Sequence, residues 1–155
     1  MTTLVLGIGN TLLSDEGVGV HVSNYIRQHY TAVPDMECLD GGTLSFTLLG
    51  DIERSDELIV IDATQLNEAP GSFRTYVGDD MDRFLNFQTK RSVHEVSLVD
   101  LLSICRLADH LPARRALIGI QPQSLDWGES PSTELLAAIP AASEAAVKLI
   151  EEWHR

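Results

Sequence analysis

The chain has 155 residues, and its 11 Lys and Arg residues against 23 Asp and Glu residues give a formal net charge of −12. This acidity argues against nucleic acid or an anionic membrane as a partner, because phosphate groups require a basic footprint. No apolar run approaches the ~20 residues that span a bilayer, the first residues lack the features of a signal peptide, and Cys38 and Cys105 form no disulfide framework. We therefore expect one domain over residues 1–155, monomeric and cytoplasmic.

Apolar runs predict β-strands at residues 4–8, 36–39, 58–63, 73–77 and 116–120. The run 58–63 is the clearest buried strand, and Asp62 at its end is its one charged residue. Residues 73–77 alternate as a half-buried strand does, which indicates an antiparallel or edge position. The second strand is expected to end at the turn Asp40-Gly41-Gly42, which has typical turn composition.

Helical spacing of apolar residues predicts helices between these strands, at residues 17–30 and 44–50, from about Ser97, and near the end of the chain. Thr43 is expected to cap the second of these helices, and Pro140 to lie in the first turn of the last. The stretch with Asp79, Asp80 and Asp82 is expected to form turns. Alternating strands and helices predict an α/β three-layer sandwich, with a mostly parallel twisted sheet of about five strands and helices on both faces.

The segment from Gly7 to Leu12, at the end of the first strand, contains two glycines, Gly7 and Gly9, but it lacks the pattern of a nucleotide site. Leu12 stands where a dinucleotide loop requires its third glycine, and no Lys-Ser/Thr pair of a P-loop follows. A tight turn is therefore favoured over a phosphate site. Asp15 and Glu16 would repel a phosphate and would suit a cation.

Ligands of parallel sheets bind beyond the carboxyl ends of the strands, and Glu16, Asp62 and His94 are all expected at that edge. Two carboxylates and an imidazole can form a site for zinc, nickel or a similar ion. Each residue also has a structural interpretation: Glu16 can complement a helix dipole, Asp62 can cap a turn, and His94 can be an exposed loop residue. Asp40 is a fourth acid at the same edge, and its alternative role is that of a turn residue.

Several segments resemble the motifs of the nickel–iron hydrogenase maturation endopeptidases, in the order and at the approximate spacing of that family. They are residues 6–20 (LGIGNTLLSDEGVGV), 39–43 (LDGGT), 61–63 (IDA), 92–95 (SVHE) and 118–122 (IGIQP). The long first segment is specific, whereas each of the others alone would be weak. The resemblance covers essentially the whole chain.

This resemblance implies an endopeptidase that clips a C-terminal extension from the precursor of a hydrogenase large subunit after nickel insertion. Glu16, Asp62 and His94 match the metal-contacting positions of the family, and Asp40 matches an acid with a suspected role in cleavage. The nickel is expected to be carried by the substrate, with zinc or cadmium able to replace it in a crystal. The implied partner is the large-subunit precursor, with no nucleic acid and no membrane.

Two other classes of protein remain compatible with the residues themselves. One is a non-catalytic α/β module that binds a metal centre or a partner protein, although simple binding would not need Asp40. The other is a metal-dependent hydrolase of a small molecule, although the chain has no obvious set of basic or aromatic substrate anchors. Nucleophilic catalysis by Ser or Cys has no support, since no G-x-S-x-G motif is present and Cys38 and Cys105 are expected on strand and helix faces as small apolar residues.

Overall fold

The computed structural model describes residues 1–87 and 97–155 of the chain. Its strands and helices are, in order, β1 (Thr3–Ile8), α1 (Val18–His29), β2 (Met36–Gly42), α2 (Leu49–Glu53), β3 (Glu57–Ala63), β4 (Phe73–Val77), α3 (Asp79–Phe87), α4 (Leu98–Leu107), β5 (Arg114–Ile120) and α5 (Thr133–Trp153). Short 3-10 turns at Ser14–Gly17 and Phe46–Leu48 lead into α1 and α2. Strands and helices therefore alternate through most of the described residues.

The strands form one sheet in the order β2-β1-β3-β5-β4. β1 pairs in parallel with β2 and with β3, and β3 pairs in parallel with β5, whereas β4 is antiparallel to β5. Parallel neighbours require long crossover connections, and helices provide them here. The predicted α/β class and mostly parallel sheet are confirmed, as is the antiparallel edge position of residues 73–77.

Helices cover both faces of the sheet, as predicted. Because side chains of a strand alternate between its faces, Val5, Ile59 and Ile61 pack against α1 and α5, while Leu6 and Val60 pack against α2, α3 and α4. These strand side chains are almost completely buried. Burial of one such side chain contributes about 1.5–3 kcal/mol, so the two apolar layers hold the sheet in place from both sides.

α1 packs very closely on the sheet because both contact positions lack a side chain. A Cβ atom added at Gly7 would clash with the carbonyl oxygen of Gly19, and one added at Gly19 would clash with that of Ile61. The first turn of α1 therefore lies directly over the carboxyl ends of β1 and β3. This contact fixes the position of the helix beside the edge where ligands of such sheets bind.

Two predictions around the second strand are wrong. β2 continues through Asp40 to Gly42, with a register shift opposite Gly7 and Ile8. The Asp-Gly-Gly segment thus bulges within the strand instead of ending it. Thr43 caps no helix, since the following 3-10 turn begins after Ser45, without a side-chain cap.

The acidic stretch predicted to form turns is the start of α3 instead. Asp79, Asp80 and Asp82 lie in its first turn, where carboxylates interact favourably with the helix dipole. Asp82 also accepts hydrogen bonds from Arg115 of β5 and Arg106 of α4. Charge pairing with distant elements therefore stabilises a helix that the local composition does not suggest.

The last helix begins earlier than predicted, so Pro140 lies inside α5 and not in its first turn. Proline inside a helix costs about 3 kcal/mol, because it removes one backbone hydrogen bond and crowds the preceding turn. α5 is 21 residues long and buries the predicted positions Ala142, Ala146 and Ile150 against the sheet. This apolar contact outweighs the cost of the proline.

None of the helices within residues 1–87 and 97–155 has the length and apolar character needed to cross a bilayer. Cys38 and Cys105 are free thiols, as their spacing predicts. Cys105 is fully buried against the α4 side of the sheet, and Cys38 is partly buried in β2.

Candidate active site

Asp40 and Asp62 lie on the two strands that flank β1, at the carboxyl edge of the sheet. Asp40 is opposite Gly7, and Gly7 is opposite Ile61, the residue before Asp62. Asp40 therefore shares the face on which α1 packs against Gly7, whereas Asp62 follows on the other face. The structure places the two acids at one edge, on either side of the end of β1.

Asp40 is exposed and holds the bulge at the end of β2. Its Oδ1 accepts a hydrogen bond of 2.8 Å from the backbone N–H of Gly42, whose φ of +50° favours glycine. Asp40 thus has a local structural role, within a β-bulge and not in a turn that ends the strand. Asp40 also lines an open cleft of about 290 Å³, together with Gly9, Asn10, Thr11, Gly42 and Thr43. A carboxylate fixed beside an open cleft can also contact a bound substrate.

His21 of α1 is a neighbour of Asp40 that the sequence did not reveal. Its Nε2 atom is buried and finds no hydrogen-bond partner within the part of the chain that the structure describes. Burial lowers the pKa of His21 below its usual 6.5, while the negative charge of Asp40 partly opposes this shift. His21 therefore favours the neutral form, and an uncharged imidazole lies on the α1 side of Asp40.

Glu16 lies in the 3-10 turn Ser14–Gly17, which folds back on the end of β1. A Cβ atom added at Gly9 would clash with the carbonyl oxygen of Glu16, and Gly9 has a φ of +130°. Only glycine adopts such a conformation readily. The second glycine of the loop thus serves a tight turn, as predicted, and this turn places Glu16 just beyond β1, partly exposed.

Asp15, the neighbour of Glu16, has a structural role and is not available to a cation. Its side chain is 0% exposed and accepts hydrogen bonds of 2.6–2.9 Å from the N–H groups of Gln123, Ser124 and Ser132 and from the hydroxyl of Ser132. Burial alone would raise the pKa of Asp15, but these hydrogen bonds together lower it below 3.8. The carboxylate therefore fastens the segment between β5 and α5 to the segment after β1.

The predicted metal-contacting set lies only partly within the described residues. Glu16 and Asp62 are described, whereas His94 lies outside residues 1–87 and 97–155. Within those ranges, no group of three or more His, Cys, Asp or Glu side chains could hold a metal ion. The contribution of Glu16, Asp62 and His94 to a metal site therefore stays a prediction.

Comparison with known proteins decides the family. The family model described as hydrogenase maturation protease matches residues 20–153, which is most of the chain. The chain belongs to the hydrogenase maturation protease family. It is accordingly a peptidase, as the resemblance of its motifs implied.

Individual maturation proteases are similar over nearly their whole length. The hydrogenase 2 maturation protease of Escherichia coli is 36% identical over 155 residues, which cover 98% of this chain and 92% of the relative. The structure of the hydrogenase maturating endopeptidase HybD from E. coli matches with a TM-score of 0.89 at 35% identity, covering 98% of this chain and 93% of that one. A [NiFe] hydrogenase maturation protease from Thermococcus kodakarensis matches with a TM-score of 0.79 at 27% identity, covering 97% and 99%.

In this maturation protease, the carboxyl edge offers acids that can perform different chemistry. Carboxylate oxygens of Glu16 and Asp62 are suitable ligands for a divalent ion. Asp40 has one oxygen engaged by Gly42, and it adjoins an open cleft and a neutral imidazole. A carboxylate in such a position can accept a proton from water. The edge therefore carries acids of the kind that hydrolysis of a peptide bond requires.

The roles of Asp15 and His21 were not predictable from the sequence. An acidic residue beside Glu16 is a plausible cation ligand, and only the fold shows that Asp15 is turned inward to distant N–H groups. His21 lies between Val20 and Val22, close to the apolar stripe of α1. Its proximity to Asp40 depends on how α1 lies on β2, which no local pattern reveals.

Proposed function

We propose that this protease removes a C-terminal extension from the large-subunit precursor of a nickel–iron hydrogenase, after nickel has been inserted. The observation that carries the proposal is the register at Gly7, which brings Asp40 and Asp62 to opposite sides of the end of β1, with Glu16 in the turn that follows β1. Membership of the maturation protease family supports this assignment. The chain acts as a monomer in a reducing, cytoplasmic setting.

Glu16, Asp62 and His94 contact the nickel ion that the precursor carries. Two carboxylates and one imidazole are too few and too hard to bind nickel tightly, so thiolates of the precursor complete its coordination. Zinc or cadmium can replace nickel at these residues in a crystal. A precursor without nickel has nothing to bind here, which makes cleavage depend on nickel insertion.

Asp40 acts as the general base of an aspartyl-dependent hydrolysis. It accepts a proton from water as the oxygen adds to the scissile carbonyl carbon, and it returns that proton to the departing amine nitrogen when the C–N bond breaks. The hydrogen bond from Gly42 to Oδ1 fixes the carboxyl group, so the remaining oxygen points its lone pairs in a defined direction. General-base catalysis of this kind contributes about 10²–10⁴-fold to the rate.

The substrate chain must cross the end of β1 in this arrangement, because Asp62 and Asp40 lie on different faces of the sheet. Nickel contact on the Asp62 side and hydrolysis on the Asp40 side can then act on one bound precursor. This division explains why a metal-reading set and a separate catalytic acid are both needed.

The test is incubation of the purified protease with nickel-loaded and nickel-free precursor, with the product measured by mass spectrometry. Wild-type protein should remove the extension from the nickel-loaded form alone. Asp40→Asn should bind this precursor but cleave it at least ~100-fold more slowly. Asp35→Asn is a matched control, because Asp35 is an exposed acid with a φ of +54° just before β2, and asparagine tolerates that conformation. Rapid cleavage of nickel-free precursor, or normal cleavage by Asp40→Asn, would overturn the proposal.

A further inference from the structure

Large apolar side chains are exposed on two loops that lie next to the candidate active site. Leu12, in the loop after β1, is 50% exposed, and Leu125 and Trp127, in the loop after β5, are 53% and 79% exposed. We call these three residues the apolar rim. Leu12 directly follows Thr11, which lines the open cleft beside Asp40, so the rim lies next to this cleft.

Backbone hydrogen bonds hold the two loops of the apolar rim together. The carbonyl oxygen of Leu12 accepts a bond of 2.8 Å from the N–H of Gly128, and the N–H of Ser14 donates to the carbonyl oxygen of Gly128, also at 2.8 Å. The hydroxyl of Ser14 donates to the carbonyl oxygen of Asp126 at 2.8 Å. The residues on both sides of Trp127 are therefore fixed to the first loop.

The buried carboxylate of Asp15 fastens the same loop at further points. It binds the N–H groups of Gln123 and Ser124 on one side of Trp127 and that of Ser132 on the other. The backbone under Trp127 is thus rigid, although its side chain is mostly exposed. An exposed tryptophan on a rigid loop loses little conformational entropy on binding, and tryptophan is enriched among the residues that dominate protein interfaces.

We propose that the apolar rim is the surface on which the folded precursor docks, with Trp127 as its anchor. This inference rests on the proposed function. The matching surface of the precursor is an apolar pocket bordered by basic side chains, since Asp126 and Glu129 flank Trp127 and the whole chain carries a net charge of −12. Docking at the rim holds the precursor beside Glu16, so that the nickel and the extension reach the edge together.

The first measurement is the affinity for nickel-loaded precursor, with Asp40→Asn as the background so that cleavage does not interfere. Trp127→Ala in this background should raise Kd about 30-fold, which is the loss expected for an interface anchor, and Leu12→Ala should raise it less. Leu107→Ala is the matched control, because Leu107 is 88% exposed but lies at the end of α4, near the opposite edge of the sheet. It should leave Kd unchanged.

The second measurement separates docking from chemistry. Trp127→Ala alone should raise KM for the precursor with kcat nearly unchanged, and Trp127→Phe should restore part of the loss. Thermal unfolding should be the same as for wild type, because the replaced side chain is exposed. Wild-type affinity and KM in Trp127→Ala, or an equal loss in Leu107→Ala, would overturn the inference. If Trp127→Ala loses affinity while wild type cleaves no precursor, docking at the rim stands and the proposed function fails.

Discussion

Replacement of Asp15 should destabilise the protein strongly, because its buried carboxylate holds four hydrogen-bond donors. In Asp15→Ala, three backbone N–H groups and the Ser132 hydroxyl lose their acceptor. A loss of ~1 kcal/mol for each donor gives a decrease of ~4 kcal/mol in the free energy of unfolding. Asp15→Asn keeps one acceptor oxygen but turns an NH₂ group towards N–H donors, so we expect a decrease of ~2 kcal/mol.

Urea denaturation followed by circular dichroism measures these decreases. With a slope of ~2 kcal/mol per M, the midpoint should fall by ~2 M for Asp15→Ala and by ~1 M for Asp15→Asn. Asp126→Ala is the control, since Asp126 is an exposed acid in the loop that Asp15 fastens, and its midpoint should change little. A decrease of less than ~0.5 M in the urea midpoint of Asp15→Ala would refute the conclusion that the hydrogen bonds of Asp15 stabilise the contact between the segments that follow β1 and β5.

The pH dependence of the same midpoints provides a second check. The pKa of Asp15 is lower in the folded protein than its usual 3.8, so the folded state favours the charged form. This stabilisation is present above pH ~3.8 and is lost as the pH falls through the folded pKa. Wild type and Asp15→Asn should therefore differ most near neutral pH and converge in acid.

Three further predictions concern His21, Gly19 and Arg115. Burial lowers the pKa of His21 below 6.5, so its neutral ring favours folding above pH ~6.5, and this contribution is lost as the pH falls through the folded pKa. Between pH 7 and 5, the urea midpoint of His21→Gln should therefore vary less than that of wild type. An equal pH dependence of the two midpoints would contradict this. Gly19→Ala should lower the free energy of unfolding by at least ~2 kcal/mol, because its Cβ would meet a carbonyl oxygen of β3; an unchanged midpoint would contradict the close packing of α1. Arg115→Met should lower the free energy of unfolding by ~2 kcal/mol, because Asp82 loses a partly buried partner. Arg83→Met should lower it only a little, because the ion pair of Arg83 is exposed. Equal decreases in the two variants would refute the distinction between buried and exposed ion pairs.

Strand positions were predictable because buried parallel strands are short, continuous apolar runs. The run from Leu58 to Ala63 carries this signal in the sequence itself, and the alternation from Phe73 to Val77 is the different signal of a half-buried edge strand. α4 was equally local, since Ser97 and Asp100 form the reciprocal cap that starts it. In each case, the residues that determine the structure are close together in the chain.

Structure that depends on distant partners was not predictable. The start of α3 depends on the pairing of Asp82 with Arg115, 33 residues away, and the inward position of Asp15 depends on Ser132, 117 residues away. Pro140 is tolerated because α5 packs against the sheet along its length. In the candidate site, the common edge of Asp40 and Asp62 was predictable because both acids lie at the carboxyl ends of predicted parallel strands. The difference between their faces required the register of the strands.

The strand that carries Asp40 is also an open border of the sheet, and its construction bears on self-association. Exposed edge strands tend to pair with strands of other molecules. Here the guanidinium of Arg27 donates a hydrogen bond to the carbonyl oxygen of Cys38, and the bulge after Asp40 interrupts the regular spacing of backbone hydrogen-bonding groups along β2. A strand of a second copy of the chain therefore cannot form a regular ladder of backbone hydrogen bonds with β2. The same bulge that fixes the Asp40 carboxylate thus also opposes edge-to-edge aggregation at high protein concentration.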